Sequence, residues 1–153
     1  MAIDPAQATP PTAAIRMAIA GIVPLVVLAV GVLTGIANTA VPSQYALQLY
    51  SAVLLSFLGG IQWGMLARAP GANPRDLLHY AMTMLPSFAA WAGLWFAGHR
   101  GLWLLAAAFV GAFLQDRYFV TAGVAPAWHS RLRLPLTVVV VACLGAVAAF
   151  GPF

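Results

Sequence analysis

Ser56-Phe57-Leu58-Gly59-Gly60-Ile61-Gln62-Trp63-Gly64 lies late in an apolar run from Tyr45 to Ala67. A run of this length spans a hydrocarbon core, which takes about 20 helical residues. Ser56, Gly60 and Gly64 recur at four-residue spacing and stack on one helix face. Such a small-xxx-small stripe lets two helices approach closely in lipid. Gln62 and Trp63 set an amide and an indole beside it. The stretch therefore predicts a membrane helix around which the other helices pack.

The composition agrees. The 153 residues are 63% hydrophobic and 7% charged, against about 25% charged in an ordinary soluble domain. All seven basic residues are arginine, with neither lysine nor glutamate in the chain. The net charge of +4 follows from arginine in cytoplasmic loops and calls for no nucleic-acid partner. Cys143, the single cysteine, sits in a Val/Ala/Gly-rich run and packs as a small hydrophobe.

Working outward, five apolar runs are long enough to span: 17–37, 45–67, 77–97, 102–121 and 132–150. The fourth is interrupted by Asp116-Arg117. Residues 1–15, rich in Ala, Pro and Thr, read as a disordered tail. Arg16 then opens an uncleaved first helix, since Met17–Ala37 exceeds a signal-peptide core and Asn38-Thr39-Ala40 is a poor cleavage site. The connections are short and carry Pro42, Pro70, Gly71, Asn73, Pro74, Gly123 and Pro126. The expected fold is all-α: a polytopic five-helix antiparallel bundle, with residues 16–153 as one transmembrane domain. Arg16, Arg68, Arg75, Arg131 and Arg133 fall on one side, with Arg117 at that edge and Arg100 opposite. The positive-inside rule puts the N-terminus in the cytoplasm and the C-terminus outside.

Gly31 and Gly35 form a second packing stripe, in helix one. With Ser56, Gly60 and Gly64 they make up the expected helix-packing set. Pro24 and Pro86 fall within helices and are kink sites.

Intramembrane polar residues point most directly to function, because burying them in lipid is expensive. Asp116 lies roughly 21 Å along a helix crossing about 30 Å. An ionised carboxylate at that depth needs a partner or a polar pocket. Gln62, His79, Arg131 and Arg133 fall in the same third of the bundle. Gln62, Trp63, His79, Asp116 and Arg133 are the candidate ligand-binding residues, with Tyr80 and Tyr118 at the edge. Asp116 bonded to Arg133 or Gln62 makes a structural network. The same cluster suits a lipid headgroup or a quinone, or a proton path through Asp116 and His79. His99 and His129 read as interface residues. No His/Cys/carboxylate set has metal spacing, and no HExxH or nucleophile motif is present. No enzyme activity, cofactor or metal is expected.

The segment Tyr50–Gly64, with Leu85-Pro86-Ser87, Asp116, Trp128, Arg131-Leu132-Arg133-Leu134 and Thr137, resembles the small multi-span membrane family of unknown function that includes mitochondrial transmembrane protein 69 and many proteobacterial relatives. The resemblance covers residues 16–150. It implies a bacterial or mitochondrial inner-membrane setting and supplies no activity. It also implies histidine at the position of Gln62 in relatives. Glutamine there keeps hydrogen bonding and does not titrate.

The expectation is a non-enzymatic protein of the bacterial inner membrane, an accessory, assembly or stabilising subunit of an energy-transducing complex. Its partners would be membrane lipids, other membrane subunits or further copies of itself. The alternative is a transporter or carrier binding a small amphiphile, lipid or quinone, in a cytoplasmic-leaflet pocket.

Overall fold

A computed structural model describes residues 9–36, 43–69, 77–96 and 98–151. Five helices follow in order: α1 (Thr12–Thr34), α2 (Ser43–Arg68), α3 (Leu77–Trp95), α4 (His99–Thr121) and α5 (Ala127–Phe150). The fold is all-α, as expected. Most of the loops expected at 38–44 and 68–76, together with Arg75, lie outside the described residues, as does most of the N-terminal tail.

Among the described residues three helices, α1, α2 and α5, are long and apolar enough to cross a membrane. Five were expected. Helix α4 falls short because its sequence carries Gln115, Asp116 and Arg117, and α3 because His79, Tyr80, Thr83, Pro86 and Ser87 dilute its apolar content.

Two helix boundaries differ from those expected. Helix α1 starts at Thr12, after Pro10-Pro11 and inside the stretch expected as tail. Proline suits a helix start because its missing N–H is not needed there. Helix α5 starts at Ala127, directly after Pro126, five residues earlier than expected. This early start puts Trp128, His129 and Ser130 on the helix. At the other end of α1, Gly35 takes φ 66° and its N–H bonds the Val32 carbonyl. This left-handed cap favours glycine. Gly35 therefore ends α1 instead of packing it.

The packing of α2 corrects the opening stretch. Ser56, Gly60 and Gly64 are exposed, and a Cβ on either glycine would meet nothing within 4 Å. Gly59 makes the close approach. A Cβ there would lie 2.7 Å from the Thr83 carbonyl oxygen and 3.6 Å from Pro86 Cβ. The buried line of α2 runs through Gln48, Ala52, Leu55, Gly59, Gln62 and Leu66. Adjacent helical positions differ by about 100°, which follows from 3.6 residues per turn. Reading Gly60 for Gly59 therefore turns the seam outward. Pro86 is buried against Gly59, so the proline of α3 fills space and does not open it.

The two ends of the bundle are closed by glutamines of α2. At one end Gln48 Nε2 donates to the carbonyls of Gly93 (2.6 Å) and Phe96 (2.8 Å). These lie at the C-terminal end of α3, where carbonyls lack helical partners. Also at this end, His99 of α4 bonds the Ala148 carbonyl of α5. Gln48→Leu is expected to cost about 1–3 kcal/mol, the penalty for orphaning buried polar groups. Thermal unfolding in detergent measures it, and an unchanged midpoint would contradict this role. Gln62 stands at the opposite end. The core between them is built from Leu25, Leu47, Leu55, Leu102, Leu105, Phe109 and Leu144, among others.

Candidate functional site

At the Gln62 end, three helices converge on one carboxylate. Asp116 of α4 is 2% exposed and Gln62 is 0% exposed. Gln62 Nε2 donates to Asp116 Oδ1 at 2.8 Å and lies 3.3 Å from the Ala112 carbonyl. Arg133 Nε of α5 donates to Asp116 Oδ2 at 3.0 Å. His129 Nε2 lies 3.3 Å from Oδ1. Both carboxylate oxygens are thus engaged, and α2, α4 and α5 are tied together at one point. Buried charge is tolerated only when it is paired and hydrogen-bonded in this way.

His129 was not among the expected site residues. The expectation for it is an interface position beside Trp128, ahead of a helix starting at 132. With α5 starting at Ala127, His129, Arg133 and Thr137 recur at four-residue spacing on one face, and all three are buried. The i, i+4, i+8 spacing was visible in the sequence; the helix start was not.

The expected cluster divides. Gln62, Asp116 and Arg133 meet. Trp63 is exposed and packs edge-on against Tyr80, ring centroids 4.9 Å apart. His79 stacks on Tyr118, with His79 Nε2 and the Tyr118 hydroxyl 3.0 Å apart. These pairs join α2 to α3 and α3 to α4, away from the carboxylate's bonds.

A cavity of about 520 Å³ opens on the other side of the network, among α1, α2 and α5. Its walls are apolar, including Ala18, Ile22, Leu58, Ile61, Phe109 and Leu136. Its polar corner is His129, Arg133 and Thr137. Trp63, His79, Tyr80 and Tyr118 are not among its lining residues. Met17 of α1 and Phe57 of α2 are the large apolar side chains most exposed along its walls. The volume is in the range of small-molecule sites, about 300–1,000 Å³.

The corner is incompletely satisfied. Arg133 Nη2 and Thr137 Oγ1 are buried and make no hydrogen bond among the described residues; neither does Gln62 Oε1. Each such atom costs about 1–3 kcal/mol unless a partner arrives. No group of three or more His, Cys, Asp or Glu able to hold a metal occurs among the described residues.

A family of proteins of unknown function, DUF3429, matches residues 10–149. The chain belongs to DUF3429. Its match takes in all five helices except the last residue of α5, and so includes the Asp116 network and the whole cavity wall. No curated protein and no solved structure matches the chain.

Proposed function

We propose that this DUF3429 protein binds a small amphiphile inside the membrane, with its chain along the apolar walls of the α1–α2–α5 cavity and its head at Arg133 and Thr137. The observation that carries this reading is the pairing of an apolar cavity with unsatisfied buried polar atoms in its corner residues. The exposed apolar side chains on its walls, Met17 and Phe57, favour entry from lipid over entry from water. The Asp116 network then serves as a scaffold. It fixes Arg133 through Nε and leaves Nη2 for the ligand.

In this reading all five helices lie in the bilayer. Helix α3 exposes Leu85, Phe88, Trp91 and Trp95, and α4 exposes Trp103, Val110 and Leu114. Such faces suit lipid. The Gln115 and Asp116 that lower the hydropathy of α4 are turned inward. Arg16, Arg68, Arg117 and Arg131 are exposed on the half of the bundle that holds the network, and Arg100 is exposed at the other end. The positive-inside rule makes the network half cytoplasmic, in a bacterial inner membrane. The resemblance to the family that includes mitochondrial transmembrane protein 69 implies the same kind of setting.

The exposed stripe of Ser56, Gly60 and Gly64 favours a second reading, an accessory subunit docking a partner helix there. Cysteine placed at Gly60 and crosslinked in native membranes tests it. A reproducible adduct is expected, and none would count against docking.

Ala18→Phe tests the cavity reading. The added ring fills the space beside Leu58 and Ile61 without touching Asp116. Native mass spectrometry from mild detergent is expected to show one amphiphile on the wild-type chain and none on the variant, with equal or higher thermal stability in the variant. Retention of the same adduct by both proteins would overturn the reading.

A further inference from the structure

We infer that the head of the bound amphiphile is an uncharged hydrogen-bond acceptor, a carbonyl of a quinone ring or of an ester, and not an anion. The inference rests on the amphiphile reading and specifies its ligand class. Its basis is the charge count at the corner. Arg133 is the one arginine among the described lining residues, and Asp116 is already paired with it through the 3.0 Å bond to Nε. Around the pair, Gln62 is neutral and His129 faces the carboxylate. Ser130 and Gln115, also buried nearby on α5 and α4, carry no charge.

A phosphate or carboxylate placed here would add a second negative charge close to the Asp116 carboxylate, in a low-dielectric site where Arg133 is already paired. That arrangement is costly. A carbonyl oxygen leaves the charge unchanged and accepts from the idle donors. Arg133 Nη2 supplies N–H groups and the Thr137 hydroxyl an O–H, one helical turn apart on the same face of α5. The surface arginines Arg16, Arg68, Arg117 and Arg131 are exposed and do not line the cavity. They suit phospholipid headgroups in the surrounding leaflet, which leaves the cavity for an uncharged head. Phe57, Phe109 and Trp128 line the walls and supply aromatic faces for a ring.

The test uses the full chain in nanodiscs of zwitterionic lipid, with native mass spectrometry as the readout. Three probes are titrated: methyl palmitate, a decyl-substituted benzoquinone and hexadecyl phosphate. At least one neutral probe is expected to bind ten-fold or more tightly than the phosphate. A preference for the quinone over the ester assigns the ring, and the reverse assigns the ester. Thr137→Val, nearly isosteric, is expected to weaken the preferred probe about five-fold through one lost hydrogen bond, while the ligand-free melting midpoint holds or rises because an unsatisfied buried hydroxyl is removed. Phosphate binding as tightly as either neutral probe, or an unchanged affinity in Thr137→Val, overturns the uncharged-head inference and leaves amphiphile binding standing. No binding of any probe overturns both.

Discussion

Asp116→Ala is expected to destabilise the protein by about 3–5 kcal/mol, the cost of leaving a buried charge without its partner. The substitution removes the acceptor for Arg133 Nε, Gln62 Nε2 and the near contact of His129 at once. Arg133 is then a cation in the interior of an apolar bundle, and α2, α4 and α5 lose their common tie. Asp116→Asn is expected to cost less, because an amide oxygen still accepts from Gln62 or Arg133, but it leaves the guanidinium charge uncompensated. Asp116→Leu combined with Arg133→Met removes both charges and is expected to recover most of the loss, since apolar replacement of a buried pair is often close to neutral. Reversible unfolding in mixed detergent micelles, read as a double-mutant cycle, measures the coupling. Additive losses from the two single substitutions would show that the pair does not act as a unit.

The second large effect lies on α2, where adjacent glycines are expected to respond with opposite signs. Gly59→Leu is expected to cost about 1–3 kcal/mol or more from overpacking, because even its Cβ would sit 2.7 Å from the Thr83 backbone oxygen. A backbone atom in α3 cannot swing aside as a side-chain tip can, so Gly59→Ala also destabilises. Gly60→Ala and Gly64→Ala place a methyl in open space and remove the helix cost of glycine. Each is expected to gain up to about 0.5–1 kcal/mol. Melting midpoints of the four variants check this ordering. A tolerated Gly59→Leu together with a destabilising Gly64→Ala would put the α2–α3 seam on the wrong face.

The contrast between these glycines shows how much the sequence discloses. Five apolar runs gave the number and order of the helices, because apolar periodicity and turn formers survive without any tertiary information. Gly59 and Gly60 are neighbours of identical chemistry, so local sequence cannot say which one meets Pro86. That choice belongs to the rotation of α2 against α3. Asp116, Gln62 and Arg133 were legible because a polar group in an apolar run must find a partner. His129 was not, because Pro126 starts α5 earlier than the apolar run begins. Trp63 and His79 share the depth of Gln62 and Asp116, and depth along the membrane does not fix the side of the helix. The cavity itself was illegible for a related reason. It arises from how α1 leans on α2 and α5, and its walls, such as Ala18, Leu58 and Leu136, look like any lipid-facing residues in sequence.

Three of the tests separate scaffold from site. Asp116 is expected to report on folding, Ala18 on occupancy and Thr137 on recognition of the head. A protein in which all three changed stability alone would be a packed bundle with an incidental gap. The most direct measurement is a density map of the protein in a lipid nanodisc at a resolution that shows side chains. Elongated density is expected within the cavity walled by Ala18, Leu58 and Leu136, ending in hydrogen-bonding reach of Arg133 and Thr137. A cavity closed by α1 packed directly onto α2 and α5, with Arg133 and Thr137 satisfied by protein groups, would contradict this expectation.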